Sequence, residues 1–137
     1  MGAGVMQGQL SYPWQNATQG AIGYGVALTA DEQVNLATAK TDYPWGVLID
    51  APKQNEFAAV ESRDGLIVQA VCGAAITTTW PNLLCVTVDN TGRFIAAVKT
   101  ATPAATRNFV WGFALKSTTA AGQKFPLRIH VFEMDIA

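Results

Sequence analysis

Charge is scarce in this chain. Only 14% of its 137 residues are Asp, Glu, Lys or Arg, while half are hydrophobic. An ordinary globular domain carries about 25% charged residues, and that charge keeps apolar patches off the surface. The shortfall points to a surface partly covered by partners. Basic clusters are lacking as well: Lys and Arg stand singly along the chain, and the net charge is −1. A nucleic-acid binder needs a basic face to displace counterions from phosphates, so nucleic acid is excluded as a partner. No apolar run approaches the roughly 20 residues that cross a bilayer. No polybasic block offers a membrane anchor either, so no membrane partner is expected. The first eight residues have neither a basic stretch nor an apolar core, and no signal peptide is expected there.

Reactive and metal-binding residues are equally few. His130 is the one histidine, and Cys72 and Cys85 are the only cysteines. Those two read as reduced, buried small hydrophobes, with a disulfide across a hairpin as the alternative. A hydrolase triad needs a nucleophile, a base and an orienting carboxylate. His130 lies between Ile129 and Val131 and reads as a polar-face residue packed beside its neighbours. Asp31, Asp42, Asp50, Glu56, Glu61 and Asp64 fall at turns or strand ends, without glycosidase or metal spacing. The glycines form neither a Gly-x-x-x-x-Gly-Lys-Ser/Thr loop nor a Gly-x-Gly-x-x-Gly turn. Asp89-Asn90-Thr91-Gly92 lacks the downstream acidic ligands of a calcium loop. Neither an enzyme nor a cofactor or metal site is expected.

Short β-runs are present throughout. An aromatic residue, a glycine and an apolar run occur three times, at Tyr24-Gly25, Trp45-Gly46 and Trp111-Gly112. Glycine in a strand leaves room for a neighbouring backbone to approach, so these read as three related strands of one fold. Leu84–Val88 and Arg93–Val98 flank Asp89–Gly92 and predict a hairpin. Phe125, Leu127, Ile129 and Val131 alternate with Arg128 and His130, the period of a half-buried strand whose odd positions face the core. Ala74–Thr77 reads as helical or turn-like, and no amphipathic helix of ten residues is found. The expectation is a mainly β, single-domain fold of eight to ten short strands. Such a fold closes into a small barrel or packs as two sheets, because strand edges must be managed.

Residues 1–20 read as an extended, flexible N-terminal arm preceding a β-domain over 21–137. Glycines loosen the arm, and Gln9–Trp14 offers an edge strand ending in Tyr12-Pro13-Trp14. Large rings in a polar segment either fold back on the core or enter a partner. Trp45 and Trp111 read as packing residues. Trp14 and Trp80 lie beside prolines in loops. Lys99–Asn108, with Pro103, reads as an exposed flexible loop. Tyr12, Pro13, Trp14, Trp80 and Pro103 are therefore the candidates for contact with a partner. Aromatic loops of this kind also stack on sugars. A carbohydrate- or receptor-binding β-module is thus the alternative.

Several of these stretches together resemble bacteriophage capsid cement, or head decoration, proteins. They are Gly25–Thr29, Gly46–Pro52, Phe57–Val60, Val88–Ala96 and Trp111–Thr118. The likeness spans roughly residues 8–134. It implies a structural protein without enzymatic activity that binds the major capsid protein on the outside of an assembled head. Such a protein is made in the host cytoplasm and ends on the virion exterior. The resemblance also implies a homo-oligomer, with a trimer favoured over a dimer. The Tyr-Pro-Trp segment has no counterpart in that family, so its contact role rests on its chemistry.

Overall fold

The computed structural model describes residues 12–103 and 106–137. Among them there is no helix, and eleven strands lie in three antiparallel sheets. The larger sheet has five strands in the order β7 (Ile67–Val71), β11 (Lys124–Glu133), β10 (Phe109–Ala114), β8 (Leu84–Val88) and β9 (Phe94–Ala96). The second has four, ordered β3 (Gln33–Leu36), β2 (Gly25–Ala30), β4 (Pro44–Leu48) and β6 (Val60–Glu61). A two-stranded ribbon joins β1 (Tyr12–Pro13) to β5 (Phe57–Ala58). The fold is thus mainly β, as the alternating runs require. The hairpin over 84–98 is β8–β9, with Val88 opposite Phe94. Asp89 closes its turn by accepting hydrogen bonds from the Thr91 and Arg93 amides. Ala74–Thr77 is not helical: Ile76 is buried and pairs with Thr118 in an isolated bridge.

One core lies between the two large sheets. Ala27 and Val47 enter it from the four-stranded sheet, and Val86, Trp111, Phe125 and Leu127 from the five-stranded one. Phe94 meets Trp111 and Phe125 edge-on, with ring centroids 5.6 and 6.3 Å apart. Each large side chain buried here contributes roughly 1.5–3 kcal/mol, which makes this layer the main source of stability.

The outer faces of both sheets are apolar too, and the chain ends cover them. On the four-stranded sheet, Val26, Val34, Leu48 and Val60 form a second cluster with Trp14. Trp14 is 1% exposed, and its Nε1 donates to the Thr18 carbonyl at 2.9 Å. The arm expected over 1–20 is therefore part of the domain from Tyr12 onward. Its apolar rings complete a sheet that is hydrophobic on both faces. Residues 1–11 lie outside the described residues. On the five-stranded sheet, Ala97, Val110 and Ile136 form a third cluster beneath the C-terminal residues. Thr100 N bonds Asp135 O at 2.9 Å, and Ala137 N bonds Val98 O at 2.8 Å. The loop expected over 99–108 is consequently tied at both ends. Asn108 is buried and accepts from the Ile136 amide.

The cysteines sit in different layers and are free thiols. Cys72 belongs to the central core, whereas Cys85 packs against the third cluster and burial pushes its thiol up.

Two of the three aromatic–glycine steps share one device. A Cβ on Gly46 would fall on the carbonyl oxygen of Glu61, and one on Gly112 on that of Arg128. Both glycines adjoin a register shift in their sheets. At Gly25 the obstacle is a side chain, Val88 Cγ1 at 2.8 Å, so that step is packing and not backbone contact. The shift beside Gly112 also ends the alternation of β11. Phe125, Leu127 and Ile129 are buried, but Val131, expected beside them, is 43% exposed. Gly46→Ala or Gly112→Ala should each cost about 3 kcal/mol, because the obstructing atom is backbone and cannot turn aside. Gly122→Ala, at φ +89° with open space around it, should cost about 1 kcal/mol. Urea midpoints of the three variants test this order.

Candidate contact surface

The residues proposed from sequence as partner contacts separate into two groups. Trp80 is 66% exposed. It stands at the tip of a loop closed by a bridge between Thr79 and Asn82, and the Trp80–Pro81 peptide is cis. The loop is fastened on both sides. Thr78 N donates to Ser117 Oγ at 3.0 Å, and Leu84 N to Thr78 Oγ1 at 3.0 Å. Deeper down, Ile76 N donates to Thr118 Oγ1 at 3.0 Å, and Thr118 N returns a bond to Ile76 O. An exposed indole on a loop held this way loses little freedom when a partner covers it. That is the condition for a strong anchor.

Trp14 belongs to the other group, as a core residue. Tyr12 is half-buried and stacks on Trp45 at 5.2 Å, while Pro13 lies opposite Phe57 in the ribbon. These rings hold the N-terminal segment down, and each spends one face on the other. Pro103 is exposed and precedes two residues outside the described ones. Neither Trp80 nor Pro103 belongs to the cluster that Tyr12 and Trp14 form on the four-stranded sheet.

Several contact candidates escape a reading of the sequence. Phe57 is 69% exposed and Ile67 61% exposed. Both lie on the face of their strand that is turned away from the core: Ala58, after Phe57, is buried, and Val68, after Ile67, packs on the central core. Which face meets a core is not shown by local sequence. Each is a large apolar side chain in water, Phe57 next to Glu56 in the chain and Ile67 opposite Arg128 across the ladder.

Charged groups are used locally. Glu61, only 7% exposed, takes a two-pronged bond from Arg63, Nη2 to Oε1 at 2.9 Å and Nε to Oε2 at 3.1 Å. The Arg63 guanidinium holds its carboxyl below the usual glutamate range, with the Ser62 and Arg63 amides adding to the effect. Burial pushes Asp50 the other way, against the bond from the Ala59 amide. His130 stacks on Phe113, and its Nδ1 lies 2.8 Å from Asp64 Oδ1, both side chains in solvent. The depression beside them is lined by Gly65, Phe113, Arg128 and Ile129, which supply no hydroxyl or thiol. Among the described residues no group of three His, Cys, Asp or Glu side chains could hold a metal ion.

Two expectations follow. Trp80→Ala should leave the urea midpoint within about 0.5 kcal/mol of the parent, whereas Trp14→Ala should lose about 4 kcal/mol. Equal losses would overturn the separation of the two rings. Glu61 has a lower pKa folded than unfolded, so the unfolded chain takes up its proton first on acidification. Its contribution is present above the ordinary value of 4.5 and lost as pH falls below it. Denaturation from pH 7 to pH 3 should therefore show a smaller decline for Glu61→Gln than for the parent.

No protein-family model matches the sequence, and no curated protein matches it. Among solved structures, the chain is similar to the head fiber gp8.5 N base of bacteriophage phi29. The TM-score is 0.61, with 18% sequence identity, over 88% of this chain and 93% of that one. At that identity the likeness is one of fold.

Proposed function

We propose that this chain is a structural protein of a bacteriophage head. In this reading it is a cement protein that binds the major capsid protein on the outside of the assembled shell. The observation that carries the reading is Trp80, a bare indole on a fastened loop in a chain with few charges. A cement protein works through many identical contacts and needs no deep catalytic pocket. About 800 Å² buried per partner makes a specific contact, and repetition over a lattice turns a modest contact into a stiff shell. Exposed Phe57 and Ile67 suit contacts between copies, with a trimer favoured at the symmetry axes of a shell. Such a protein is not an enzyme and resides on the virion exterior. The fold likeness to a head-fibre base supports a place on the head. It also favours a second reading, a base that anchors a fibre.

Cosedimentation with empty heads tests the proposal. The parent should pellet with heads, and Trp80→Ala should bind at least about tenfold more weakly with an unchanged urea midpoint. Failure of the parent to pellet sinks the reading. Removal of residues 2–11 leaves the Trp14 contacts in place, and undiminished binding by that variant would dismiss a role for the arm. Electron microscopy of decorated heads separates the two readings: a fibre base carries a fibre projecting from the shell, and cement lies on the shell without one.

A further inference from the structure

Each large sheet ends in two outer strands, and three of these four are obstructed. Along β3, Gln15 N bonds Val34 O, and along β9, Gly73 N bonds Phe94 O. β6 is two residues long and carries Glu61, clasped by Arg63. β7 has no such cover over its first half. From Leu66 to Val71 the chain has neither a charge nor a proline, the usual means of blunting an edge.

The ladder shows which groups of β7 are open. In an antiparallel pair, residues bonded to the neighbouring strand alternate with residues whose backbone groups point the other way. Pro126 O accepts from Leu115 N, on the β10 side of β11, and the Arg128 carbonyl faces Gly112 of β10. Gln69 and Ile67, opposite Pro126 and Arg128, therefore turn their own N–H and C=O groups away from β11. Bonds from Ile129 N to Leu66 O and from Cys72 N to Gln123 O fix the same alternation at both ends. On the outer side, Val71 N is taken by Gly23 O. Gly23 also crowds the Gln69 carbonyl, since a Cβ on it would come 3.2 Å from that oxygen. The Ile67 N–H and C=O and the Gln69 N–H remain, with no partner among the described residues. Both side chains are exposed, Ile67 to 61%.

Backbone donors and acceptors repeating along an extended strand are matched by another extended strand. A second copy of the same edge fits poorly. Paired about Gln69 or about Val68, it would run into the place beside Val71 that Gly23 fills. Paired about Ile67, it would set Gln69 against Gly65, which turns at φ +82° and spends its N–H on Ile129 O. We propose that the open edge of β7 takes up a short extended segment of a different protein. The segment bonds to both backbone groups of Ile67 and to the Gln69 N–H, and its residue beside Ile67 is apolar. The inference stands apart from the head-protein reading, because it follows from the β7 backbone alone. It gives Ile67 to a partner chain in place of a second copy.

Nitrogen–proton correlation spectra of the full chain test it. In the free protein the Ile67 and Gln69 amides should exchange with solvent faster than those of Val68 and Ala70, which bond within the ladder. The capped peptide acetyl-Lys-Val-Thr-Val-Lys-amide should shift the Ile67 and Gln69 signals and slow their exchange about tenfold at saturation. The same peptide N-methylated at its three central amides should do neither, since it keeps the side chains and loses the donors. Ile67→Lys and Gln69→Pro should each weaken the peptide about tenfold. Both should keep urea midpoints near the parent, because the Ile67 side chain and the Gln69 N–H face solvent. Slow exchange of the Ile67 and Gln69 amides in the free chain overturns the proposal. So does a peptide that leaves their signals in place up to its solubility limit, or equal binding by the N-methylated peptide. A concentration-dependent dimer that Ile67→Lys abolishes also overturns it, since the edge would then belong to a second copy.

Discussion

Backbone touches backbone at Gly46 and at Gly112, and the arrangement of both sheets depends on it. At Gly46 the chain lies against the Glu61 carbonyl, and at Gly112 against the Arg128 carbonyl, with no room for a Cβ at either. Each contact sits beside a register shift. Trp111 reaches the central core beside Phe94, while Trp45 packs on the outer cluster of the four-stranded sheet, under Tyr12. The shift beside Gly112 also turns Val131 out of the core, where it lines a cavity between the sheets. A local backbone constraint thus shapes both the interior and an opening to the outside.

The scarcity of charge has a structural cause as well as a functional one. Each large sheet is apolar on both faces, so a single core cannot hide everything. Residues 12–20 cover one outer face and the C-terminal residues cover the other. What stays uncovered is a set of separate large side chains, Phe57, Ile67 and Trp80 among them. Those are the surfaces at which association with other chains gains most, because little polar hydration is lost when they are buried.

Much of the architecture was legible along the chain. Period-two alternation marked β11 through Ile129, and the Asp89–Gly92 turn marked β8–β9, because both signals are local. The glycines of the aromatic steps announced close approach and met it at Gly46 and Gly112. The site was less legible. Trp14 and Trp80 look alike in sequence, each beside a proline, yet one is 1% and the other 66% exposed. Their difference comes from an apolar sheet face built of Val26, Val34, Leu48 and Val60, which no short window around Trp14 contains. The outward position of Phe57 and Ile67 likewise depends on which face of their strands meets a core.

Strand content, turn positions and a surface poor in charge followed from the sequence by itself, since side-chain alternation and turn chemistry act over a few residues. Which rings are core, which are bare, and where the sheets part were decided by tertiary structure alone. Burial is a property of the far side of a contact, and the packing partners of Trp14 and Trp111 come from distant parts of the chain.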